Sequence, residues 1–420
     1  MKLRNSILSI LVASTFFACS NDNDPIDIQE RIPDATLTLM VNEGVKVAPK
    51  TKADPASAEI LARDVISKLT VLIFEGGDNS TNSNKLVHQQ SAELKDGEST
   101  ITKIEGIPVV SGNMKVIVVA NMFNTENILA QNSTLASFLT AAFSLGNEKD
   151  KNLTMSSRIF DVTAMPDTVN YLGGHTTKPA DGILLGNVNE VGDGVKLYRT
   201  VSRVQLTGLT LKAKQGTGIV PTKFVVDSIF VANAKGYSYL ATPKANGKVE
   251  VEAYDPNFWL HGGCLDSVGL LKPTPTTSNF PHKMLNLCTA TNIEIEGTTS
   301  TKITGKEEAL GRSFYVYENT VPATPTLLVV RGDLTYTING ATLTKNDCYY
   351  PVQVNHGGVI KYDETITKHD YIRRNNSYNI DLTITGPGSD NPFTPEVSAF
   401  LSAQLMVQDW NVVNMNPDLD

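Results

Sequence analysis

The chain has 420 residues, 41% of them hydrophobic and 19% charged, enough for two or three domains at ~100–200 residues each. That composition excludes a disordered, collagenous or coiled-coil protein. Lysine and arginine total 36 against 44 aspartates and glutamates, so the net charge is −8, which argues against a nucleic-acid-binding surface with its basic stripe.

Residues 1–19 read as an export signal. Lys2 and Arg4 form a basic start, and Ile7 to Phe17 form an apolar stretch too short to span a bilayer as a helix. The stretch closes on Phe17-Ala18-Cys19, which resembles a bacterial lipobox in which Cys19 carries the lipid (palmitate). An ordinary signal peptide with a chance cysteine is the alternative. Residues 20–34 are polar and Asp-rich, a tether with little ability to fold.

Ordered structure is expected from about residue 36. Leu37, Leu39, Val41, Val45 and Val47 alternate with Thr36, Thr38, Asn42 and Lys46, the period of a half-buried strand. An exposed segment, 48–64, follows. KLTVLIFEGG (68–77) predicts a second strand ending in a turn, and MKVIVVAN (114–121) a central one. Residues 125–148 suggest short helices. GILLGN (182–187) precedes a long β-like stretch, 195–214, that joins one domain to the next. Short strands are expected at 224–234, 313–321, 326–338, 348–354, 378–386 and 400–413. Such spacing indicates all-β sandwiches with short helical insertions, not βαβ units. No repeat of fixed period is evident.

Catalytic constellations are missing. The six histidines lack zinc-site spacing, and no nucleophile elbow, P-loop or dinucleotide fingerprint occurs. No enzyme activity, metal or cofactor is expected. Asp78, Asp390 and Asp409 read as turn or surface residues, His356 as a loop residue, and Trp259 and Trp410 as core or interface anchors. Besides Cys19 there are Cys264, Cys288 and Cys348. Export permits a disulfide among them, but the pairing stays open, and buried free thiols are the alternative.

The C-terminal third carries the most specific pattern. YYPVQVN (349–355) is followed by the run R-x-x-x-Y-x-I-x-L-T-I-T-G-P-G from Arg374 to Gly388. With the lipobox, YRTVSRVQL (198–206), KLTVLIFEGG, and Val407 and Trp410 near the end, it resembles the fimbrillin family of Bacteroidales, the FimA-type major fimbrial subunits (type V pilins). The resemblance is strong at 68–77 and 349–413 and weak through 80–190 and 240–310.

It implies two transthyretin-like β-sandwich domains in tandem, 53–200 and 201–399, after a signal peptide, 1–19, and a propeptide, 20–52. It also implies a lipoprotein precursor at the outer membrane and cleavage by a trypsin-like protease. Polymerisation by donor-strand exchange into a cell-surface fimbria for adhesion follows. The matching bond is Lys52–Ala53, with Arg63–Asp64 as the other candidate. Residues 400–420 would be the donor, and the expected partners are identical or related pilin subunits, the protease and a host surface ligand.

The residue pattern fits that scheme. Removal of an edge strand leaves unpaired backbone groups and bare apolar side chains. A cut at Lys52 removes Leu37, Leu39, Val41, Val45 and Val47 together. Leu401, Ala403, Leu405 and Val407 offer a replacement face; Trp410 and Val412 fall out of phase, so a bulge or turn near Gln408–Asp409 is expected. Burying four or five such residues contributes on the order of 10 kcal/mol before ordering costs. Patterning alone also allows both segments to be ordinary strands of their own domains. A tip adhesin or anchor subunit of the same fimbria, or a surface glycan-binding lipoprotein, are the rival readings. Losing 52 residues would leave 368, and the piece removed holds six basic and six acidic residues, so the −8 stays with the mature subunit.

Overall fold

The computed structural model describes residues 32–41, 65–77, 84–97, 100–122, 129–130, 133–145, 148, 152–175, 177, 179–186, 194–241, 259–262, 274–275, 288–289, 293–297, 314–355, 371–393 and 401–409; at 274–275, 288–289 and 401–409 only the backbone is described. Residues 33–420 cluster as one unit.

Among the described residues, four sheets of four or more strands carry most of the structure. The first holds β1 (Ala35–Met40), β4 (Lys103–Val109), β9 (Val169–Leu172) and β10 (Gly182–Leu185) in the order β10-β9-β1-β4. The second runs β11-β7-β5-β2-β3, built from β2 (Lys68–Glu75), β3 (Leu86–Glu93), β5 (Gly112–Ala120), β7 (Met155–Ser156) and β11 (Tyr198–Arg199), with β8 (Phe160–Ala164) also on β5. At Thr200 the chain passes from β11 into the third sheet. That sheet is β19-β12-β22-β23: β12 (Val201–Leu211), β19 (Phe314–Tyr317), β22 (Asn376–Ile384) and β23 (Leu401–Asp409). The fourth sheet runs β16-β15-β13-β20-β21, and β17 and β18 also pair with β13. Its strands are β13 (Ile219–Lys235), β15 (Trp259–Gly262), β16 (Thr274–Pro275), β17 (Cys288–Thr289), β18 (Glu294–Glu296), β20 (Leu327–Ile338) and β21 (Ala341–Gln353).

One pairing pattern occurs twice. β1 lies antiparallel to β4 and parallel to β9, and β12 lies antiparallel to β19 and parallel to β22. Both first strands shift register midway, at Leu37/Leu39 and at Leu206/Gly208. β1 was expected at an edge; it is an interior strand, paired on both sides. Its shift also buries Thr38, which simple alternation assigned to the open face.

β2 and β5 explain their unbroken apolar sequences, because both faces are covered. Leu69, Val71, Ile73, Val116 and Val118 pack with Leu37, Leu39 and Leu172 in one core. Leu72, Phe74, Ile117 and Val119 belong to a second core that runs on through Val204, Tyr317, Phe224 and Ile380 of the third and fourth sheets. A small sheet, β6 (Ala142–Ser144) with β14 (Tyr237–Tyr239), also links the two halves.

Two element readings need correcting. The helical stretch at 125–148 holds, among its described residues, one five-residue helix, α1 (Leu135–Leu139), capped by Thr134, and then strand β6. And the later strands are not all short: β13 has 17 residues, β20 12 and β21 13, since β13 pairs along most of its length with β20, and β20 with β21.

Candidate functional site

The site is the slot that β1 fills, together with the strand β23 at the far end of the chain. Leu37 and Leu39 are 0% exposed and Val41 4%. Leu37 sits opposite Ile107 and Asn170, and Leu39 opposite Ile104 and Leu172. Beyond β1, Val41 bridges to Val195; its N–H donates to Thr102 O at 2.8 Å, and the Val195 N–H donates to Met40 O at 2.8 Å. Both flanks of the slot are therefore hydrogen-bonded to β1.

Polar groups pin its entrance. The Ser111 N–H and hydroxyl donate to the two Asp34 carboxylate oxygens at 2.6 and 2.7 Å. Those bonds hold the Asp34 carboxyl below its ordinary value. The buried Asn170 amide donates to Thr36 O at 3.2 Å and to Met165 O at 3.0 Å, and its oxygen accepts from Met165 N at 2.8 Å. Neither residue belongs to a recognisable motif; an acid just ahead of the alternating run is the single sequence signal.

β23 is an edge strand, antiparallel to β22. Leu401, Ala403, Leu405 and Val407 face Ile384, Leu382, Ile380 and Tyr378 in register, and those four partners are buried. The pairing runs unshifted from Ile384↔Leu401 to Asn376↔Asp409; the step that would bring Trp410 and Val412 into phase lies outside the described residues. Cys19, Val45, Val47, Lys52, Ala53, Arg63, Asp64, Trp410 and Val412 lie outside the described residues, as do Cys264, Asp78 and His356.

A polar knot sits below β22. Arg373 and Arg374 are both 2% exposed. The Arg374 guanidinium donates to Glu318 Oε2 at 3.2 Å, Ala241 O at 3.1 Å, Ser238 Oγ at 3.2 Å and Tyr239 O at 3.0 Å. Burial pushes the Glu318 carboxyl up, against the pull of Arg374 and Arg373. Tyr378 accepts from Arg373 N at 2.8 Å through its hydroxyl, and burial raises that phenol. So Arg374 and Tyr378, which open the sequence motif, are buried structural anchors.

A second buried carboxylate lies where the sheets change. Glu148 accepts from Thr154 N and Thr200 Oγ1, both at 2.9 Å, and from Tyr317 OH at 3.2 Å. Burial lifts it to about 7, partly offset by those donors.

Nothing else converges as a reactive centre among the described residues. Asp227, Asp333 and Asp347 each bring a carboxylate oxygen within 4.8 Å of the others, and Arg331 ion-pairs with Asp347 there, supplying the counter-charge. Asp390 pairs with Lys345 at the surface at 2.9 Å. Trp259 is half-buried on β15. Cys348 is a free buried thiol, raised by burial.

Two family models match the chain: "Major fimbrial subunit protein (FimA)" over residues 35–199 and "FimA4 pilin C-terminal domain" over residues 283–410. The first match opens with β1 and the second takes in β23. An all-β chain matched this way at both ends is a fimbrial structural subunit. It is similar to the major fimbrium subunit FimA type-4 of Porphyromonas gingivalis, 27% identical over 439 residues that cover 99% of both chains. Among solved structures, one chain from Parabacteroides distasonis is 25% identical with a TM-score of 0.65, covering 90% of this chain and 99% of its own. A fimbrilin (FimA) from Porphyromonas gingivalis W83 shares the fold at 24% identity and a TM-score of 0.56, covering 91% and 99%. The chain belongs to the FimA family of fimbrial subunits.

Proposed function

We propose that this chain is the precursor of a fimbrial stalk subunit assembled by donor-strand exchange. The observation that carries it is the interior position of β1: a short, buried strand at the front of the fold whose loss opens a slot between β4 and β9. The precursor is exported, lipidated at Cys19 and held at the outer membrane. A trypsin-like protease cuts after Lys52, or after Arg63, and frees the segment containing Leu37, Leu39, Val41, Val45 and Val47. The C-terminal segment of a second copy, with Leu401, Ala403, Leu405, Val407, Trp410 and Val412, then leaves its own sheet edge and enters the slot. Repeated head to tail without closing, that contact builds a filament. The two halves, meeting near residue 200, act as tandem transthyretin-like sandwiches, and the finished fibre serves adhesion to a surface ligand.

Backbone bonds supply affinity and alternate side chains supply fit, as in other strand additions. Edman or mass-spectrometric sequencing of fibre subunits is expected to begin at Ala53 or Asp64; fibres that retain Cys19 would rule the cleavage out. A chain lacking residues 400–420 is expected to stay monomeric after trypsin treatment in electron micrographs, and filaments from it would refute the donor role.

A further inference from the structure

Position 40 of the slot has a distinctive shape. Gly173 and Gly174 both take positive φ, +85° and +79°, where side chains are strained. A Cβ on Gly174 would come within 2.1 Å of Met40 Sδ and 3.0 Å of its Cγ, and one on Gly173 within 2.7 Å of Met40 O. The glycine pair is thus a cradle over which one long, unbranched side chain lies. Thioether chains suit such irregular space because they are flexible.

The triplet that fills it occurs again at the other end of the protein. Leu39-Met40-Val41-Asn42-Glu43 is echoed by Leu405-Met406-Val407-Gln408-Asp409. Three residues are identical, and the next two keep their chemistry, amide for amide and acid for acid. Placed on one another, Ala403, Leu405 and Val407 fall at the buried positions of Leu37, Leu39 and Val41, and Met406 falls on the cradle.

Resting on the exchange reading above, we propose that the slot accepts the C-terminal strand of a second copy in one direction and one register. Leu405-Met406-Val407 replaces Leu39-Met40-Val41, antiparallel to β4 and parallel to β9, with Met406 over Gly173–Gly174. The alternatives fit worse. A one-residue slip turns the apolar set outward. A two-residue slip one way puts Asp409 at the buried position of Val41; the other way puts Ala403 at the position of Leu39 and Gln404 on the cradle. Reversal about Leu39 also puts Gln404 on the cradle, in place of the thioether chain.

Cross-linking distinguishes these cases. Lys103 is exposed and lies opposite Met40, and directly opposed strand residues are close enough for a disulfide. Full-length Met40→Cys/Lys103→Cys precursor calibrates the pair and should close within one chain. Protease-treated Lys103→Cys chains are then grown with chains carrying Gln404→Cys, Met406→Cys or Gln408→Cys. A cross-linked dimer from the 406 mixture alone, mapped by mass spectrometry, is the expected result. Cross-links through 404 or 408 instead would overturn the register while leaving exchange standing. Chains with Leu405→Cys or Val407→Cys cover the one-residue slips in the same way, and fibres in which none of positions 404–408 cross-links to Lys103→Cys would overturn both.

Discussion

Glu148 holds a carboxyl group where the two halves of the chain meet, and its buried state has a pH signature. Its folded value is raised from 4.5 to about 7, so the folded protein keeps a proton that the unfolded chain has released. The stabilisation is complete below 4.5 and is lost as pH rises through about 7. At pH 8, holding the ionised form in that site costs roughly 3 kcal/mol, since each tenfold change in proton affinity is worth ~1.4 kcal/mol. Glu148→Gln, whose amide oxygen can accept from Thr154 N while its NH2 donates to the Thr200 and Tyr317 hydroxyls, is expected to be more stable than wild type at pH 8 and to narrow that gap toward pH 4. Urea titrations at both pH values check this; an unchanged difference would mean that the Glu148 carboxyl is not raised in the folded protein. The Arg374–Glu318 pair makes the complementary case. Removing one partner of a buried pair costs about 3–5 kcal/mol, because the other charge is stranded. Arg374→Met is expected to lose that much in the same titration, and adding Glu318→Gln to recover part of it.

At the scale of elements, β1 has the clearest energetic role. Leu39→Ala empties a fully buried site and is expected to cost about 2–5 kcal/mol in the uncut precursor. Stability of the same variant after cleavage, once β1 is gone, should match that of cleaved wild type; thermal melts of both forms test the pair of statements. β2 and β5 could be read directly from sequence because both their faces are apolar. β3 could not: in LVHQQSAE only the leucine is fully buried, so an edge strand with a wet face leaves almost no periodic trace. The interior position of β1 was hidden for a different reason, since its flanking strand β9 is four residues long and arrives from more than 120 positions away. The β20–β21 hairpin carries a local signal, Asn339-Gly340 with φ +49° and +81°, the pair that a tight hairpin turn requires. The slot's apolar lining was legible as alternation; Asp34, Asn170 and the glycine cradle were not, because their roles come from contacts made across the fold.

For the whole molecule, charge and core matter most. Each copy carries −8 whether or not the first 52 residues remain, so copies repel before they join. Raising salt from ~10 to ~150 mM shortens the Debye length from ~30 to ~8 Å, and growth of protease-treated chains, followed by light scattering, is expected to quicken. Slower growth in salt would point instead to complementary charged patches at the contact.

The core that runs from Leu72 and Phe74 through Tyr317 to Ile380 has a mechanical consequence. Domains of one chain swing relative to each other by default, unless a large apolar interface joins them. Here the halves share buried side chains, a ring contact between Phe143 and Tyr317 at 5.5 Å, and the β6–β14 pairing. On the strand-exchange reading proposed above, a filament of such units is a chain of stiff links: under drag it flexes at the joints between copies, and a pull along it is borne by the inserted strands before either half gives way.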